Sequence, residues 1–213
     1  MKRQIVKGLV CVFLLIVAFM GFCEAVSEDI TKGVVRLHVI ANSDSKQDQA
    51  VKLLVRDAVL KASKALSAGK PMDLSFAEEN KAILLEAANQ VLKENNCFYS
   101  CQIETGMFSF PTRQYDAIFL PAGDYRAVRV VLGEGKGQNW WCVLYPPLCF
   151  TDQAVQKISK EQQKALSDAV GDAGYRTISG EEVLLIPAFK AVEIWNTVRQ
   201  SFSLQNKPLF ASS

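Results

Sequence analysis

The 213-residue chain has almost no excess of charge of one sign, with 24 lysines and arginines against 22 aspartates and glutamates. Binding of nucleic acid depends on a strong positive field, so that function is disfavoured. The chain has a single histidine, His38, and any histidine base has to be this residue. It also has no repeat or low-complexity segment. With 49% apolar residues, these features predict one ordinary packed domain, not a disulfide miniprotein or a disordered tail.

The one long apolar run lies at the N-terminus. Three basic residues within the first seven precede an uncharged stretch from Gly8 to Cys23, an arrangement typical of an export signal. The stretch is shorter than the roughly 20 apolar residues of a membrane-spanning helix, and small residues suited to a peptidase follow it. An uncleaved, tethering helix is the alternative. We predict a signal peptide at 1–25 that contacts the membrane transiently, one exported domain at 26–205 and a frayed tail at 206–213.

Four cysteines remain after removal of the signal, an even number in a chain sent out of the reducing cytoplasm. This predicts two disulfides. Cys142 and Cys149 enclose the segment 143–148, whose two prolines bend the chain and bring its ends closer together. Pairing of Cys97 with Cys101 requires a turn between them, because an extended chain would separate their α-carbons by about 13 Å. Crossed pairings remain open.

Hydrophobic periodicity predicts an α+β fold. Alternation from Val34 to Ala41 predicts a half-buried first strand, with Arg36 and His38 on its polar side. Helical spacing then predicts two helices, one ending near residue 66 and one beginning with a capping box at Ser75. From residue 98 to residue 150, aromatic and β-branched residues between glycines and prolines predict several short antiparallel strands.

The last third returns to helical spacing. Ser159 and Gln162 form a capping-box pattern, and Pro187 suits the first turn of a further helix. The order of the elements predicts a single α+β domain with an antiparallel or mixed sheet, two N-terminal helices and C-terminal helices.

Two loops resemble ligand sites but lack their defining residues. In the glycine-rich Gly133–Asn139 segment, the lysine is followed by glycine, whereas a nucleotide-binding loop needs serine or threonine there. Asn42, Asp44 and Asp48 carry oxygen ligands, but a calcium loop also needs a glycine at its sixth position and a glutamate at its twelfth. We predict a hairpin connection and a strand-to-helix turn, with no metal and no cofactor.

A set of catalytic residue types is also present. Gln138, Cys142 and His38 could supply the oxyanion donor, the nucleophile and the base of a cysteine hydrolase. Their spacing and order differ from those of papain-like enzymes, and Cys142 has a predicted disulfide partner. We expect no enzymatic activity. A secreted cysteine hydrolase acting on peptide or cell-wall material is the alternative.

Trp140 and Trp141 are adjacent, so in a strand they face opposite sides of the sheet. One ring can enter the core. The other, beside the bend that begins at Tyr145, would form a rigid aromatic surface of the kind that anchors protein partners. Burial of both rings by other elements is the alternative.

Three segments together resemble the stage II sporulation protein R family of endospore-forming bacteria. They are RLHVIANSD from Arg36 with DQ and KLLVRDAV beyond it, LPAGDY from Leu120, and GEGKGQNWWCVLYPPLCF from Gly133. The resemblance runs from the export signal to about Phe150, and the NWWCVLYPPLCF run is its most specific part.

The resemblance implies a signalling protein, not an enzyme. Members of this family are made in the forespore, exported into the space between the two sporulation membranes, and activate a membrane-embedded aspartic protease of the mother cell. That protease then processes the precursor of sigma E. Polar and aromatic residues in turns, where packing does not require them, are the expected receptor contacts. We predict as partner-binding residues His38, Asn42, Asp44, Trp140, Trp141 and Tyr145.

Overall fold

A four-stranded sheet carries helices on both faces. The computed structural model describes residues 2–67, 73–148 and 158–180, which form five helices and six strands. The helices are α1 (Lys2–Gly33), α2 (Lys46–Ser67), α3 (Leu74–Glu79), α4 (Lys81–Glu94) and α5 (Lys160–Ile178). The strands are β1 (Val35–Ile40), β2 (Cys101–Phe110), β3 (Arg113–Tyr115), β4 (Ile118–Leu120), β5 (Gly123–Leu132) and β6 (Asn139–Tyr145).

The sheet is mixed, with strand order β2-β5-β1-β6. β1 runs parallel to β5, while the β1–β6 and β2–β5 pairs are antiparallel. A parallel pair needs a long connection, and here α2 to α4 and three strands lie between β1 and β5. β3 and β4 form a separate hairpin. The mixed sheet, the N-terminal helices and the C-terminal helix confirm the predicted α+β class.

The first core lies between one face of the sheet and helices α2 and α4. Val51, Val55 and Val59 of α2 lie at helical spacing and are buried, and they share this core with Leu37 and Val39 of β1. The periodicity that predicted the helix therefore marks the side that packs on the sheet.

The second core lies on the opposite face of the sheet, under α5 and the end of α1. It contains Val26 and Ile30 of α1 and Leu166 of α5. A β-carbon at Gly33 would lie 2.3 Å from the carbonyl oxygen of Ala169, so glycine permits the close approach of the two helices.

The first part of α1 projects from this core. Its large apolar side chains from Ile5 to Phe22 are half exposed or more, and the segment Arg3–Gly33 is long and apolar enough to cross a membrane. Such a helix fits the predicted export signal. The helix is continuous through residue 25, and the boundary between signal and domain stays a prediction.

Three local predictions have different outcomes. β1 is buried on both faces and not on one, because it is a central strand whose polar-side residues Arg36 and His38 are covered. The N-cap of α3 is Asp73 and not Ser75; the hydroxyl of Ser75 donates to Asp73 instead. The capping box of Ser159 and Gln162 is confirmed.

The helix predicted from Pro187 and the tail predicted at 206–213 lie outside the described residues.

Candidate functional site

The turn between β1 and α2 is built around the buried carboxylate of Asp48. Asp48 accepts hydrogen bonds from Asn42 Nδ2 (2.9 Å), Ser43 Oγ (2.5 Å) and Tyr99 OH (2.6 Å). Burial raises the pKa of Asp48, but these donors outweigh it and the pKa lies below its ordinary value. Its oxygens are therefore occupied within the fold. Across residues 2–67, 73–148 and 158–180, no group of three or more His, Cys, Asp or Glu side chains is arranged to hold a metal ion.

The glycine-rich loop between β5 and β6 packs directly on this turn. Asn42 Oδ1 accepts a hydrogen bond from the backbone of Glu134 (3.0 Å), and the Gly137 amide donates to the carbonyl of Ala41 (2.9 Å). A β-carbon at Gly137 would lie 2.2 Å from the carbonyl oxygen of Ser43. The glycines therefore permit contact between two backbones, which explains them without an anion.

Lys52 of α2 fixes the end of the same loop. Its ammonium group donates to Gln49 Oε1 (2.6 Å) and to the backbone carbonyl of Gln138 (3.1 Å). Burial lowers the pKa of Lys52, while the charge of Asp44 acts in the opposite direction. Two of the predicted contact residues lie in this region. Asn42 connects the turn to the glycine-rich loop through its hydrogen bonds, whereas Asp44 is exposed.

The two tryptophans of β6 lie on opposite faces of the sheet, as predicted. Trp140 packs against the first core, and the guanidinium of Arg56 lies 4.3 Å from its ring. Trp141 packs against the second core. Both tryptophans are partly exposed. Tyr145 is partly buried against the first core, on the side of Trp140. The three predicted contact residues of β6 therefore do not share one surface.

Trp141 has a fixed orientation because His38 of β1 stacks on it. The two rings are 3.6 Å apart and nearly parallel, at 16°. Phe110 packs edge-on against Trp141 at 4.9 Å and near His38 at 6.0 Å. An aromatic ring packed on two others loses little further freedom when a partner binds it.

His38 is buried and neutral. It is 7% exposed, and its Nε2 lies 2.7 Å from Oδ1 of Asn139 at the start of β6. Burial lowers its pKa to about 4, against the effect of the Asn139 hydrogen bond, and the charges of Arg129 and Arg36 lower it further. At neutral pH the ring is a packing and hydrogen-bonding group.

Trp141 and His38 belong to a row of side chains that crosses the whole sheet. In register, His38 faces Trp141 on one side and Arg129 on the other, and Arg129 faces Glu104. Arg129 Nε donates to Glu104 Oε2 (2.7 Å), and its guanidinium lies 4.4 Å from the ring of Phe108. Beyond this row, on the side of the sheet that carries the second core, the side chains are exposed or half-exposed. We define the open sheet face as the row together with these side chains. Its exposed and half-exposed members are Ile40, Gln102, Glu104, Arg129, Val131, Asn139 and Trp141.

The residues of the alternative catalytic set do not meet. Cys142 pairs in register with Leu37 and belongs to the first core, whereas His38 lies on the opposite face. Cys142 is also disulfide-bonded. A thiolate–imidazole pair of Cys142 and His38 is therefore excluded by the geometry of β1 and β6. Gln138 contributes its backbone to Lys52.

The cysteine predictions have separate outcomes. The proposed partner of Cys142, Cys149, lies outside the described residues, and this pairing stays a prediction. Cys97 and Cys101 have free thiols, so the predicted bond between them is not formed in this structure. Cys101 begins β2 with its thiol buried in the first core, while Cys97 lies in the preceding turn and is only partly buried. Burial raises the pKa of Cys101 to about 12.

Sequence reasoning did not identify Arg36, Phe110 or Arg129 as parts of the site. Arg36 and Arg129 interrupt otherwise apolar strands at positions that share a face with His38 and Trp141. That alternation was visible, but the pairing of β1 with β5 and β6 depends on distant parts of the chain. The cluster therefore becomes evident only once the strand order is known.

Comparison with known proteins gives one consistent result. The family model described as Stage II sporulation protein R matches residues 31–155. Stage II sporulation protein R of Bacillus subtilis (strain 168) is 38% identical over 136 residues, which cover 61% of this chain and 59% of that relative. The match thus spans about three fifths of the relative's length. No solved structure matches the chain.

Proposed function

Because the chain belongs to the stage II sporulation protein R family, we propose that it is an exported signalling protein of sporulation. Its site of action is the space between forespore and mother cell. There it activates a membrane-embedded aspartic protease of the mother cell, which leads to processing of the sigma E precursor. The apolar N-terminal helix supports export.

The receptor contact is the open sheet face, with Trp141 as its anchor. Trp141 supports this assignment because it is partly exposed although His38 and Phe110 fix its ring. Tryptophan and arginine are the residues that most often dominate the energetics of a protein interface, and Arg129 lies in the same row. Trp140 and Tyr145, on the opposite face, are assigned to packing.

Signalling requires more than tight binding. A ligand shifts a receptor between two states only if it binds one of them more strongly. A rigid surface suits this task, because it matches one arrangement of the receptor and loses little conformational entropy on binding. The open sheet face therefore favours the active form of the protease.

Reconstitution tests this function. Purified protein is added outside cells that carry the protease and its precursor substrate, and processing of the precursor is measured. Processing should depend on the added protein. No processing at saturating amounts of folded protein would refute the proposed function.

The neighbouring tryptophans provide a matched pair of variants. Trp141→Ala should reduce processing at least tenfold at equal concentration of folded protein, because it removes the anchor. Trp140→Ala should lower the melting temperature, because it removes a ring packed on the first core, but should leave processing per folded molecule unchanged. Equal losses of processing in both variants would contradict the assignment of the open sheet face.

A further inference from the structure

The guanidinium of Arg36 is a buried cation that forms no ion pair with a described side chain. It is 0% exposed in a central strand. Nη2 donates to Tyr115 OH (2.6 Å), but Nε and Nη1 have no hydrogen-bond partner within residues 2–67, 73–148 and 158–180. None of the ion pairs among the described side chains includes Arg36. Arginine keeps its charge inside a protein, so the charge itself is present.

Aromatic rings surround this cation. The guanidinium carbon lies 4.3 Å from the ring centre of Phe110, 4.9 Å from that of Tyr125 and 5.8 Å from that of Tyr115. Ring faces attract a cation and partly offset the cost of burial. The ring faces themselves accept no conventional hydrogen bond, and Nε and Nη1 have no partner among the described residues. A buried charge is costly unless it is both paired and hydrogen-bonded.

Arg36 lies two residues before His38 on the same face of β1, beside the open sheet face. Its hydrogen-bonded neighbour Tyr115 is partly exposed and belongs to the short β3–β4 hairpin. Tyr115 OH also lies 3.4 Å from the carbonyl oxygen of Trp141. Arg36 is fully buried, so a ligand reaches it only if a side chain that covers it moves; of the three rings around it, Tyr115 alone is partly exposed.

We propose that Arg36 binds a carboxylate, and that the occupant is an acidic side chain of the receptor. A carboxylate supplies both the missing charge and oxygen acceptors for the free nitrogens, in the strongest type of hydrogen bond available to arginine. The aromatic walls favour a side chain with an apolar stem over a fully hydrated inorganic anion. The identity of the occupant rests on the proposed function, whereas the affinity for a carboxylate does not.

Acetate is the probe for this site. The melting temperature of the wild-type protein is measured in sodium acetate and in sodium chloride at equal ionic strength and pH. Acetate should raise it by about 2–5 °C, because a ligand that binds only the folded state stabilises that state. Arg36→Met should show no acetate response. Its melting temperature in chloride should equal or exceed that of the wild type, because the unpaired charge is gone.

Arg129→Met is the matched control for the acetate response. Arg129 also lies on an aromatic ring, but Glu104 already pairs with it, so its removal should leave the acetate response intact. An absence of any acetate effect on the wild type overturns the carboxylate site, whether or not the variants fold. An acetate response that persists in Arg36→Met overturns it as well, and stabilisation by sodium phosphate but not by acetate overturns the carboxylate class.

The receptor assay separates this proposal from the function on which its occupant depends. Wild-type protein that triggers processing while folded Arg36→Met does not supports the receptor carboxylate. If Arg36→Met triggers processing as well as the wild type, the receptor does not supply the occupant. If the wild-type protein itself triggers none, the proposed function fails, and the acetate result still decides whether Arg36 binds carboxylates.

Discussion

Replacement of Gly137 by alanine should separate the glycine-rich loop from the turn between β1 and α2. The new β-carbon would lie 2.2 Å from the carbonyl oxygen of Ser43 and 2.8 Å from the β-carbon of Ala41. The first of these is a backbone atom, which cannot rotate away as the end of a side chain can. The loop has to move outward, and the hydrogen bonds from Gly137 N to Ala41 O (2.9 Å) and from Lys136 N to Asn42 O (3.1 Å) are lost or lengthened.

The expected cost follows from these contacts. Two backbone hydrogen bonds contribute about 1 kcal/mol each, and a forced overlap in a packed region adds about 1–3 kcal/mol. Gly137→Ala should therefore reduce the free energy of unfolding by about 3–5 kcal/mol. For a chain of this length, that corresponds to a fall in melting temperature of roughly 6–20 °C. Urea unfolding followed by circular dichroism measures the change.

Gly123→Ala is the matched control. A β-carbon at Gly123 would lie 3.6 Å from Thr31 Cγ2 and from Tyr125 Cε2, which is ordinary van der Waals contact. Alanine also reduces the entropy of the unfolded chain, so this variant should lie within about 1 kcal/mol of the wild type. If Gly137→Ala and Gly123→Ala unfold at the same urea concentration, the close contact between loop and turn does not limit this position.

Two further predictions concern ionisable and polar groups. His38 should make the protein less stable as the pH falls from about 6.5 to 4: the unfolded chain takes up a proton there, while burial holds the folded pKa at about 4. The free energy of unfolding should fall by about 2–3 kcal/mol over this range. In His38→Asn the melting temperature should depend less steeply on pH. Equal slopes for the variant and the wild type would contradict the assignment of this pH dependence to His38. Tyr99→Phe removes the donor 2.6 Å from the buried carboxylate of Asp48 and should reduce the free energy of unfolding in urea by about 1–3 kcal/mol. The control is Tyr145→Phe, which should reduce it by less than about 1 kcal/mol, because no side-chain hydrogen bond of Tyr145 is found in the described structure. An equally small reduction for Tyr99→Phe would argue against the role of its hydroxyl.

Periodicity was sufficient to predict the elements that pack along one stripe. The valines of α2 are a local pattern that reports which side of the helix is buried. The capping box at Ser159 was also predictable because all its hydrogen bonds lie within four residues. At Ser75 the same pattern failed, because Asp73 offers a carboxylate to the Phe76 amide (2.8 Å), and a charged acceptor is the stronger cap.

The candidate site was predictable only in part, because its geometry depends on strand order. The opposite orientation of Trp140 and Trp141 follows from the pleat of any strand. The stacking of His38 on Trp141 follows from the register of β1 with β6, which no local pattern specifies. Burial of both faces of β1 likewise follows from its central position, which the sequence of β1 alone does not reveal.

The residues that carry the family resemblance form a physical chain that ends at the proposed anchor. Asn42 bonds to the backbone of the glycine-rich loop, and Lys52 bonds to the carbonyl of Gln138 at its end. The next residue, Asn139, is hydrogen-bonded to His38, and His38 in turn stacks on Trp141. On the proposed assignment, Asn42 and His38 act by orienting the indole ring of Trp141. Asp44 is exposed and stays a predicted receptor contact.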